Sequence, residues 1–540
     1  MKYIEIANAF KVFFAYKYFG AKRENIVLVY ADESSTLNAY KQLKFLLGKR
    51  SDNELLYFPS KDVLPYDRIS PSTKISAERA RVLSVLSNSK SAKIIVTNAA
   101  NLIVKLPSPE IFKDEVLKIK VGENIDRERL INFLFKAGYN RTATAFDVGD
   151  FAIKGEIVDI VCSQYKAYRI NNAWDKIVSM RLYDVNSQLS GNSVDNITIM
   201  PASEILHHQQ MIANFKSNFL KVFGVNHINS EIYQAIIAGQ KFHGYEQLIP
   251  LFYDTMVEIY DYLNNYVVIY DSLVLQSMKE TSYQYQEYYQ SRVDANKINK
   301  EFFYFALLPE NKIDDVEKQI RVFNNNKLTV SDETIGEYSS INLGETLKKE
   351  NKTIAQKLFL IINEYKEKVP VIFCSSISNL KKIEYFVKEA KLTPNKITSF
   401  DQIKNNQINI TATFLSENII SDNYLYIADY VFLGSEFKPQ GYNKTKRQIK
   451  KILLETDGIK EGQLIVHKNY GIGRFIKIEP IKVDNVNHDC LKIIYADDDI
   501  LYLPVENIEL VKKYGEGEAI LDKLGSLAWQ RRKSSLKNRI

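Results

Sequence analysis

The chain has 540 residues and a mass of 62.3 kDa, which at roughly 150 residues per domain predicts several domains and excludes a single compact core. Hydrophobic residues make up 45% and charged residues 25% of the sequence, a composition typical of packed globular protein and not of disordered or fibrous chains. The net charge is +7. Six basic residues and no acidic one lie in 523–540, so the rest of the chain is close to neutral.

The three cysteines, Cys162, Cys374 and Cys490, are far apart and form no CxxC pair. This spacing predicts neither disulfides nor structural zinc, and it fits a reducing compartment. No apolar run approaches the roughly 18 residues of a membrane span, and the amino-terminal stretch has no pattern of a cleaved signal peptide. These features predict a cytoplasmic protein that does not enter a membrane.

The first hundred residues alternate helical periodicity with short β-rich runs. Strands are predicted at 26–30, 55–58 and 93–97, and helices at 6–19, 34–47 and 76–86. Such alternation predicts a parallel sheet covered by helices.

The pattern changes near residue 119. A short helix at 130–137 precedes predicted strands at 151–161, 168–170, 177–184 and 196–200, which indicates a small α+β insert. Helices dominate 204–345 around a strand at 266–270, and a second α/β unit follows with predicted strands at 369–374 and 430–433. The segment 438–455 is polar and basic and is predicted to be a linker.

Short strands return near the carboxyl end. They are predicted at 463–466, 473–483, 489–495 and 500–504. So many short strands within about fifty residues predict a small β-barrel. An amphipathic helix is predicted from residue 520 onward.

No catalytic constellation emerges from the sequence. A phosphate-binding loop needs closely spaced glycines followed by a lysine, and the nearest candidate, 434–445, has its glycines seven residues apart with no lysine directly after them. No predicted strand ends in the paired acidic residues that hold magnesium. We therefore expect no catalytic, cofactor-binding or metal-binding residue in this chain.

One strand suggests a binding mechanism. Residues 475–483 alternate apolar and charged side chains and include Pro480, which cannot donate to a sheet ladder and so favours an edge position. An edge strand can accept a strand from a partner, with Ile478 and Ile481 as apolar anchors. A protected edge in a self-contained barrel explains the periodicity equally well.

Several spaced motifs then resemble a known module. The segment GQLIVHKNYGIGRF at 462–475, YAD at 495–497 and LYLPV at 501–505 are similar to the RNA-polymerase-interacting module of CarD-type regulators and bacterial transcription-repair coupling factors. Leu64-Pro65-Tyr66 and the segment GDFAIKGEIVDI at 149–160 resemble domains 1a and 2 of the UvrB-homology module in the coupling-factor family. The segment 524–529 is similar to that family's relay helix.

The resemblance implies an α/β multidomain fold: a degenerate helicase-like parallel α/β domain with a small α+β insert, a second small α/β domain, an SH3/Tudor-like β-barrel and a C-terminal helix. It implies domain 1a (1–118, degenerate, without a phosphate loop), UvrA-binding domain 2 (119–203), domain 1b (204–345), small α/β domain 3 (346–437), a linker (438–460), the CarD-like RNA polymerase-interacting domain (461–515) and the start of the relay helix (516–540).

The resemblance also implies two docking sites. The β subunit of RNA polymerase is expected to bind the exposed strand of the barrel, at Ile478, Glu479, Pro480, Ile481 and Lys482. UvrA is expected to bind domain 2 through basic residues that match Lys154 and Arg169. An aromatic residue of the family falls on Ala173, with Trp174 beside it.

These expectations describe the amino-terminal, non-motor part of a coupling factor, acting as a monomeric scaffold between stalled RNA polymerase and UvrA. ATP, magnesium, DNA translocation and most contacts with double-stranded DNA are expected only of the family's motor domains, which this chain lacks. Two alternatives remain: a transcription regulator of CarD type that acts through the barrel alone, and a nucleotide-dependent helicase-like enzyme.

Overall fold

The structure is a computed structural model that describes residues 2–63, 65, 70–163, 166–185, 187–242, 244–299, 313–325, 327–329, 338–343, 353–433, 459–467, 470–483, 486–504, 511–515 and 521–522. The predicted linker at 438–455 lies outside these ranges, as does the predicted C-terminal helix apart from residues 521–522. None of the helices in the described ranges has the length and apolarity needed to cross a lipid bilayer.

The first 112 residues alternate strands and helices, as the sequence predicts. The elements are β1 (Lys2–Glu5), α1 (Lys11–Lys22), β2 (Asn25–Tyr30), α2 (Glu33–Leu47), α3 (Ser51–Glu54), β3 (Leu55–Tyr57), α4 (Thr73–Asn88), β4 (Ile94–Asn98), α5 (Ala99–Leu102), β5 (Leu106–Pro107) and α6 (Pro109–Phe112). The sequence did not predict β1. Asp32 caps α2 by accepting the backbone N–H of Ser35 at 2.8 Å, which fixes the start of that helix.

The insert follows as an antiparallel sheet with one helix. Its elements are β6 (Leu117–Lys120), α7 (Arg127–Lys136), β7 (Asn140–Arg141), β8 (Asp150–Lys154), β9 (Ile157–Ser163), β10 (Lys166–Ala173), β11 (Lys176–Tyr183), β12 (Ser190–Ser193) and β13 (Asn196–Ile199). Six strands form a sheet in the order β12-β11-β10-β9-β8-β7, and β6 pairs with β13. Only the pair β7–β8 at one edge is parallel. The predicted α+β insert is confirmed.

The chain then returns to the first sheet. The next elements are α8 (Gln209–Phe223), α9 (Glu231–Ile237), α10 (Ile249–Phe252), β14 (Met256–Val257), β15 (Tyr266–Tyr270), α11 (Ser272–Asn299), α12 (Ile313–Asn325), β16 (Lys327–Thr329) and β17 (Tyr338–Ser340). The first sheet has the order β16-β1-β15-β2-β4-β3, and its strands are parallel. Because β15 lies between β1 and β2, the segments on either side of the insert form one sheet.

A second α/β unit packs against the first. It contains α13 (Ile354–Glu364), β18 (Val369–Phe373), α14 (Ile377–Glu389), β19 (Pro394–Lys396), β20 (Ile408–Thr411), β21 (Ile419–Ser421), β22 (Tyr424–Ala428) and α15 (Tyr430–Leu433). Its sheet order is β17-β21-β22-β18-β20-β19. Apolar side chains of α1 and α2 share one buried cluster with side chains of β18 and β22, so the two units have a common core.

The strand predicted at 430–433 is wrong. This segment is the short helix α15, and the strand β22 ends just before it, at Ala428. The Asp429 carbonyl accepts the N–H groups of Phe432 and Leu433, which starts the helical turn. A short apolar run does not distinguish a strand from a buried helix by its periodicity.

The carboxyl-terminal module is a single antiparallel sheet of β23 (Leu464–His467), β24 (Gly471–Val483), β25 (Val486–Ile494), β26 (Ile500–Pro504) and β27 (Val511–Lys513). The order is β26-β25-β24-β23-β27, so β26 and β27 are the two edges and do not pair within the described residues. The predicted barrel is therefore not confirmed. Phe475, Leu491 and Ile493 are buried in its apolar core.

Candidate partner-docking surfaces

Strand β24 changes its pairing along its length. Its first four residues pair with β23, and its remainder pairs with β25. In the described part of the chain, no second strand pairs with the half of β24 beyond Phe475. An interior strand therefore becomes an edge strand over 476–483, the segment where Pro480 had predicted an edge.

The register shows which backbone groups lie at this edge. Val483 pairs with Val486 across a two-residue connection, and the residues that flank such a connection exchange hydrogen bonds with each other. Residues of an antiparallel pair alternate between hydrogen-bonded and non-bonded positions, so Ile478, Pro480 and Lys482 direct their backbone groups away from β25. Pro480 has no N–H, but its position makes no hydrogen bond to β25, so the ladder loses nothing. The backbone N–H groups of Ile478 and Lys482 are directed toward the open edge.

The side chains of this segment alternate between two faces. Ile478 packs against the apolar core of the module, next to Leu491 on β25. Glu479 lies on the opposite face, where its carboxylate is 2.6 Å from Lys477 Nζ and 3.6 Å from Lys492 Nζ. The hydrogen bond from Lys477 lowers the pKa of Glu479. Ile478 is therefore part of the core and not an exposed anchor. The side chains of Ile481 and Lys482 lie outside the described part of the chain.

The second candidate surface lies on one face of the insert's sheet, the outer face, which carries Ala152, Lys154, Ile157, Asp159, Arg169, Asn171, Ser179 and Arg181. Ala152 and Asp159 are buried on this face. Side chains on a strand alternate between faces, and cross-strand partners share a face. Ile153, Val158 and Ile170 on the other face pack into the insert's core. Lys154 and Arg169 therefore lie on one face, and Lys154 is exposed.

The guanidinium of Arg169 is bound within the molecule. Its Nε and Nη2 donate to the two carboxylate oxygens of Asp159 at 2.7 and 2.8 Å, and Nη1 donates to the Gln188 carbonyl and Ser190 Oγ at 3.2 Å. The Asp159 side chain is 3% exposed. Arg169 thus neutralises a buried carboxylate and orders the neighbouring loop, so a partner meets a guanidinium whose donors are already engaged.

The remaining residues of this predicted site differ in how exposed they are. Lys154 Nζ donates to Thr144 Oγ1 at 3.2 Å. Ala173 is buried, while Trp174 is 95% exposed at the tip of the hairpin between β10 and β11. Trp174 and Asp175 both have positive φ, as a two-residue hairpin turn requires. Ala173 therefore packs inside the insert, and Trp174 is the aromatic side chain on the surface.

Arg181 was missed by the sequence reasoning. It is exposed on β11 and directly opposite Arg169 in the register. The period-2 alternation of β11 could have placed it on the same face. The strand itself was predicted at 177–184, but none of its residues was assigned a role.

An ion pair fills the position where nucleotides bind in parallel α/β sheets, at the carboxyl ends of the strands. Lys11, the first residue of α1, has no exposed side-chain surface, and its Nζ is 2.5 Å from an Asp271 carboxylate oxygen just after β15. The same Nζ donates to the Val29 carbonyl at 2.8 Å. The turn before α1 is Asn8-Ala9-Phe10 and contains no glycine. The charge of this lysine is already neutralised inside the fold.

Comparison with known proteins assigns a class to these surfaces. A family model described as the UvrB interaction domain matches residues 117–205, which include the outer face. A second, described as the CarD-like/TRCF RID domain, matches residues 459–515, which include the open edge of β24. The chain therefore contains two segments that are similar to a UvrB interaction domain and to a CarD-like/TRCF RID domain.

Whole-chain comparisons name the particular relatives. The chain is 40% identical over 520 residues to the transcription-repair-coupling factor of Rickettsia bellii, covering 96% of this chain and 46% of the relative. It is 38% identical to that of Rickettsia conorii (98% and 47% covered) and 26% identical to that of Haemophilus influenzae (92% and 44%). The chain is thus related over nearly all its length to transcription-repair-coupling factors and spans about half of theirs. The resemblance stated from the sequence is confirmed.

Proposed function

We propose that this chain couples transcription to DNA repair by binding stalled RNA polymerase and recruiting UvrA. Its carboxyl-terminal module receives a strand of the polymerase β subunit, and its insert binds UvrA. The open edge of β24 is the observation that supports this proposal most directly. The relatives carry the name transcription-repair-coupling factor, and the two matched domains are the parts that such coupling needs.

The open edge suits strand addition because its backbone groups are held in place by the ladder to β25. A strand that pairs with 478–482 gains main-chain hydrogen bonds at Ile478 and Lys482, and alternate side-chain pockets supply specificity. Pro480 between them leaves one ladder position without a donor. In this proposal Glu479, Pro480, Ile481 and Lys482 contact polymerase, and Ile478 supports them from the core.

The variant Lys482→Pro tests strand addition. It removes an amide N–H directed at the partner and leaves the ladder between β24 and β25 intact, and the preceding Ile481 already has the extended backbone that proline requires. We expect polymerase binding to weaken tenfold or more, because partner groups lose their hydrogen bond on binding. The matched control is Ile500→Pro, since Ile500 on β26 has its N–H at the opposite edge of the same sheet.

Surface plasmon resonance measures the affinity of both variants for polymerase and so tests strand addition at β24. Strand addition at β24 is wrong if Lys482→Pro binds like the unchanged chain while its circular dichroism and melting temperature are preserved. Equal loss in Lys482→Pro and Ile500→Pro would point to general damage to the sheet and would likewise count against the assignment.

The proposal for UvrA rests on the outer face with Lys154, Arg169 and Trp174. In this proposal the buried Ala173 supports the hairpin tip by packing inside the insert. An Arg169→Ala variant would strip a buried carboxylate of its partner and unfold the insert, so it does not test binding. Lys154→Ala with Trp174→Ala removes only exposed groups. We expect this pair to weaken UvrA capture and to leave polymerase binding unchanged.

We propose that this chain neither binds nor hydrolyses nucleotides. Lys11 is paired with Asp271, which supports a structural role for the first α/β unit, with ATP, magnesium and duplex DNA engaged by motor domains of the coupling-factor family. The domain division given above, a monomeric state and a cytoplasmic location are parts of the same proposal. ATP turnover by the purified chain with DNA would contradict it and favour the helicase-like enzyme. Polymerase binding without any UvrA binding would favour a CarD-type regulator.

A further inference from the structure

Two large apolar side chains are exposed on two neighbouring loops at the margin of the outer face. Phe146 is 51% and Leu189 69% exposed. Gln188 Nε2 lies 3.5 Å from the Ala145 carbonyl, which brings the residues preceding Leu189 and Phe146 into contact. The Arg169 guanidinium donates to the residues on both sides of Leu189. The apolar pair therefore lies at the margin of the face that carries Lys154 and Arg169.

The loops that carry this pair are held by internal hydrogen bonds. The Asp150 carboxylate accepts the N–H groups of Phe146 and Asp147 at 3.4 and 3.1 Å, and Tyr183 Oη donates to the Ala145 carbonyl at 3.0 Å. In the other loop, Asp184 N–H donates to the Leu189 carbonyl at 3.0 Å. A loop backbone held in this way loses little conformational entropy when a partner covers it. Exposed apolar groups on ordered loops are therefore suited to be binding anchors.

The charges around the pair favour an acidic partner surface. Two carboxylates near the pair are neutralised by cations, Asp159 by Arg169 and Asp147 by Lys460 at 3.0 Å. Two others accept backbone N–H groups of the loops, Asp150 from Phe146 and Asp147 and Asp184 from Ser187. Lys154 and Arg181 are exposed on the same face. Because Asp159 neutralises Arg169, the guanidinium of Arg181 opposite it is spared much of the repulsion between like charges in a cross-strand pair. The face thus presents two apolar side chains beside two exposed cations.

We infer that Phe146 and Leu189 are the apolar anchors of the UvrA-binding surface, and that Arg181 supplies a charge which selects and orients the partner. This inference rests on the proposed function and names the chemistry of its partner: a UvrA surface with an apolar depression bordered by carboxylates. The anchors are buried on binding and set the dissociation rate. Arg181 attracts the acidic border and acts mainly on the association rate.

The test compares the double variant Phe146→Ala with Leu189→Ala to a matched control in the full chain. The control is Phe359→Ala with Leu273→Ala, which removes side chains of the same type with 49% and 54% exposure from helices α13 and α11, outside the insert. Purified UvrA is titrated against each immobilised chain, and association and dissociation rates are recorded. Melting temperatures report whether each variant folds.

We expect the anchor variant to release UvrA at least tenfold faster at an unchanged association rate, and the control to match the unchanged chain. Arg181→Glu should slow association severalfold and make it less sensitive to salt. Unchanged release by a folded anchor variant overturns the inference and leaves the proposed function standing. If the unchanged chain itself does not bind UvrA, both fail. Polymerase affinity, which depends on β24, should be the same for all these variants.

Discussion

Arg79 on α4 fixes the insert to the first α/β unit through a buried ion pair. Its guanidinium is 1% exposed and makes two hydrogen bonds to the Glu204 carboxylate, at 3.1 and 3.0 Å. It also donates to the Pro59 carbonyl at 2.7 Å and Asn101 Oδ1 at 2.6 Å. Glu204 follows the last strand of the insert, so one side chain joins three segments of the chain.

The substitution Arg79→Met leaves Glu204 as a buried carboxylate without its main partner. Removing one member of a buried pair typically costs about 3–5 kcal/mol, since the remaining charge is no longer compensated. The second substitution Glu204→Gln removes that charge, so the double variant should recover part of this loss. The control is Arg81→Met on the same helix. Arg81 pairs with Glu78 on the surface, with side chains 29% and 26% exposed, and such pairs contribute about 1 kcal/mol or less.

The pH dependence of stability should change sign in this variant. Burial raises the pKa of Glu204, but the positive charges of Arg79 and Lys61 outweigh burial and hold the pKa below its usual value. A lowered pKa contributes stability above pH 4.5 that is lost as the pH falls. Without Arg79, burial dominates and raises the pKa. The carboxylate then costs stability at neutral pH, and the variant should become more stable as the pH falls toward 5.

Hydrogen exchange of the α4 amides measures this unit separately from the other domains. A loss of about 3–5 kcal/mol corresponds to exchange roughly two to four orders of magnitude faster at pH 7. The control should change less than tenfold. The reasoning is refuted if Arg79→Met exchanges like Arg81→Met, or if its protection still declines as the pH falls.

Two further predictions concern the junction of the insert with the first α/β unit. Burial raises the pKa of Glu246 to about 7. A raised carboxyl pKa contributes stability that is lost as the pH rises from 4.5 through 7. The melting temperature of Glu246→Gln should therefore increase relative to that of the unchanged chain from pH 5 to pH 8. Gly138 has a φ of +87°, and a Cβ there would lie 2.4 Å from the Ser203 Cβ. Gly138→Ala should lower stability by about 1–3 kcal/mol in urea titration, while Gly122→Ala, also at positive φ but in open space, should cost less.

Strands bounded by turns were the most predictable elements of this chain. Residues 26–30 and 266–270 were recognised because both are short apolar runs, and strands of a parallel sheet are buried on both faces. Their adjacency could not be predicted, because β15 inserts between β1 and β2 from more than two hundred residues away in the chain. Local periodicity carries no information about such pairing. Strand β1 was missed because its sequence Lys2–Glu5 is short, with only two apolar residues, Tyr3 and Ile4, and it lies close to the apolar pattern of α1.

The candidate sites were predictable to different extents. Pro480 carried the edge prediction because the missing N–H is a local property of one residue. The internal pairing of Arg169 was not predictable, since Asp159 is ten residues earlier and only the register of β9 and β10 makes them opposite. The barrel prediction found four of the five strands, missed β27 (Val511–Lys513) and assumed closure. Closure would need the edge strands β26 and β27 to pair, and the sequence pattern contains no information about such pairing.

The two candidate docking surfaces are connected through contacts between the carboxyl-terminal module and the rest of the chain. Val63 packs against Leu464 and Tyr514 of the module, and Lys460 pairs with Asp147, the residue after Phe146, with side chains 52% and 46% exposed. An ion pair with this degree of exposure contributes about 1 kcal/mol or less to stability. Micromolar binding of a partner supplies about 8 kcal/mol. Binding of this strength can therefore displace the ion pair, which would uncover Asp147 beside the outer face proposed to bind UvrA.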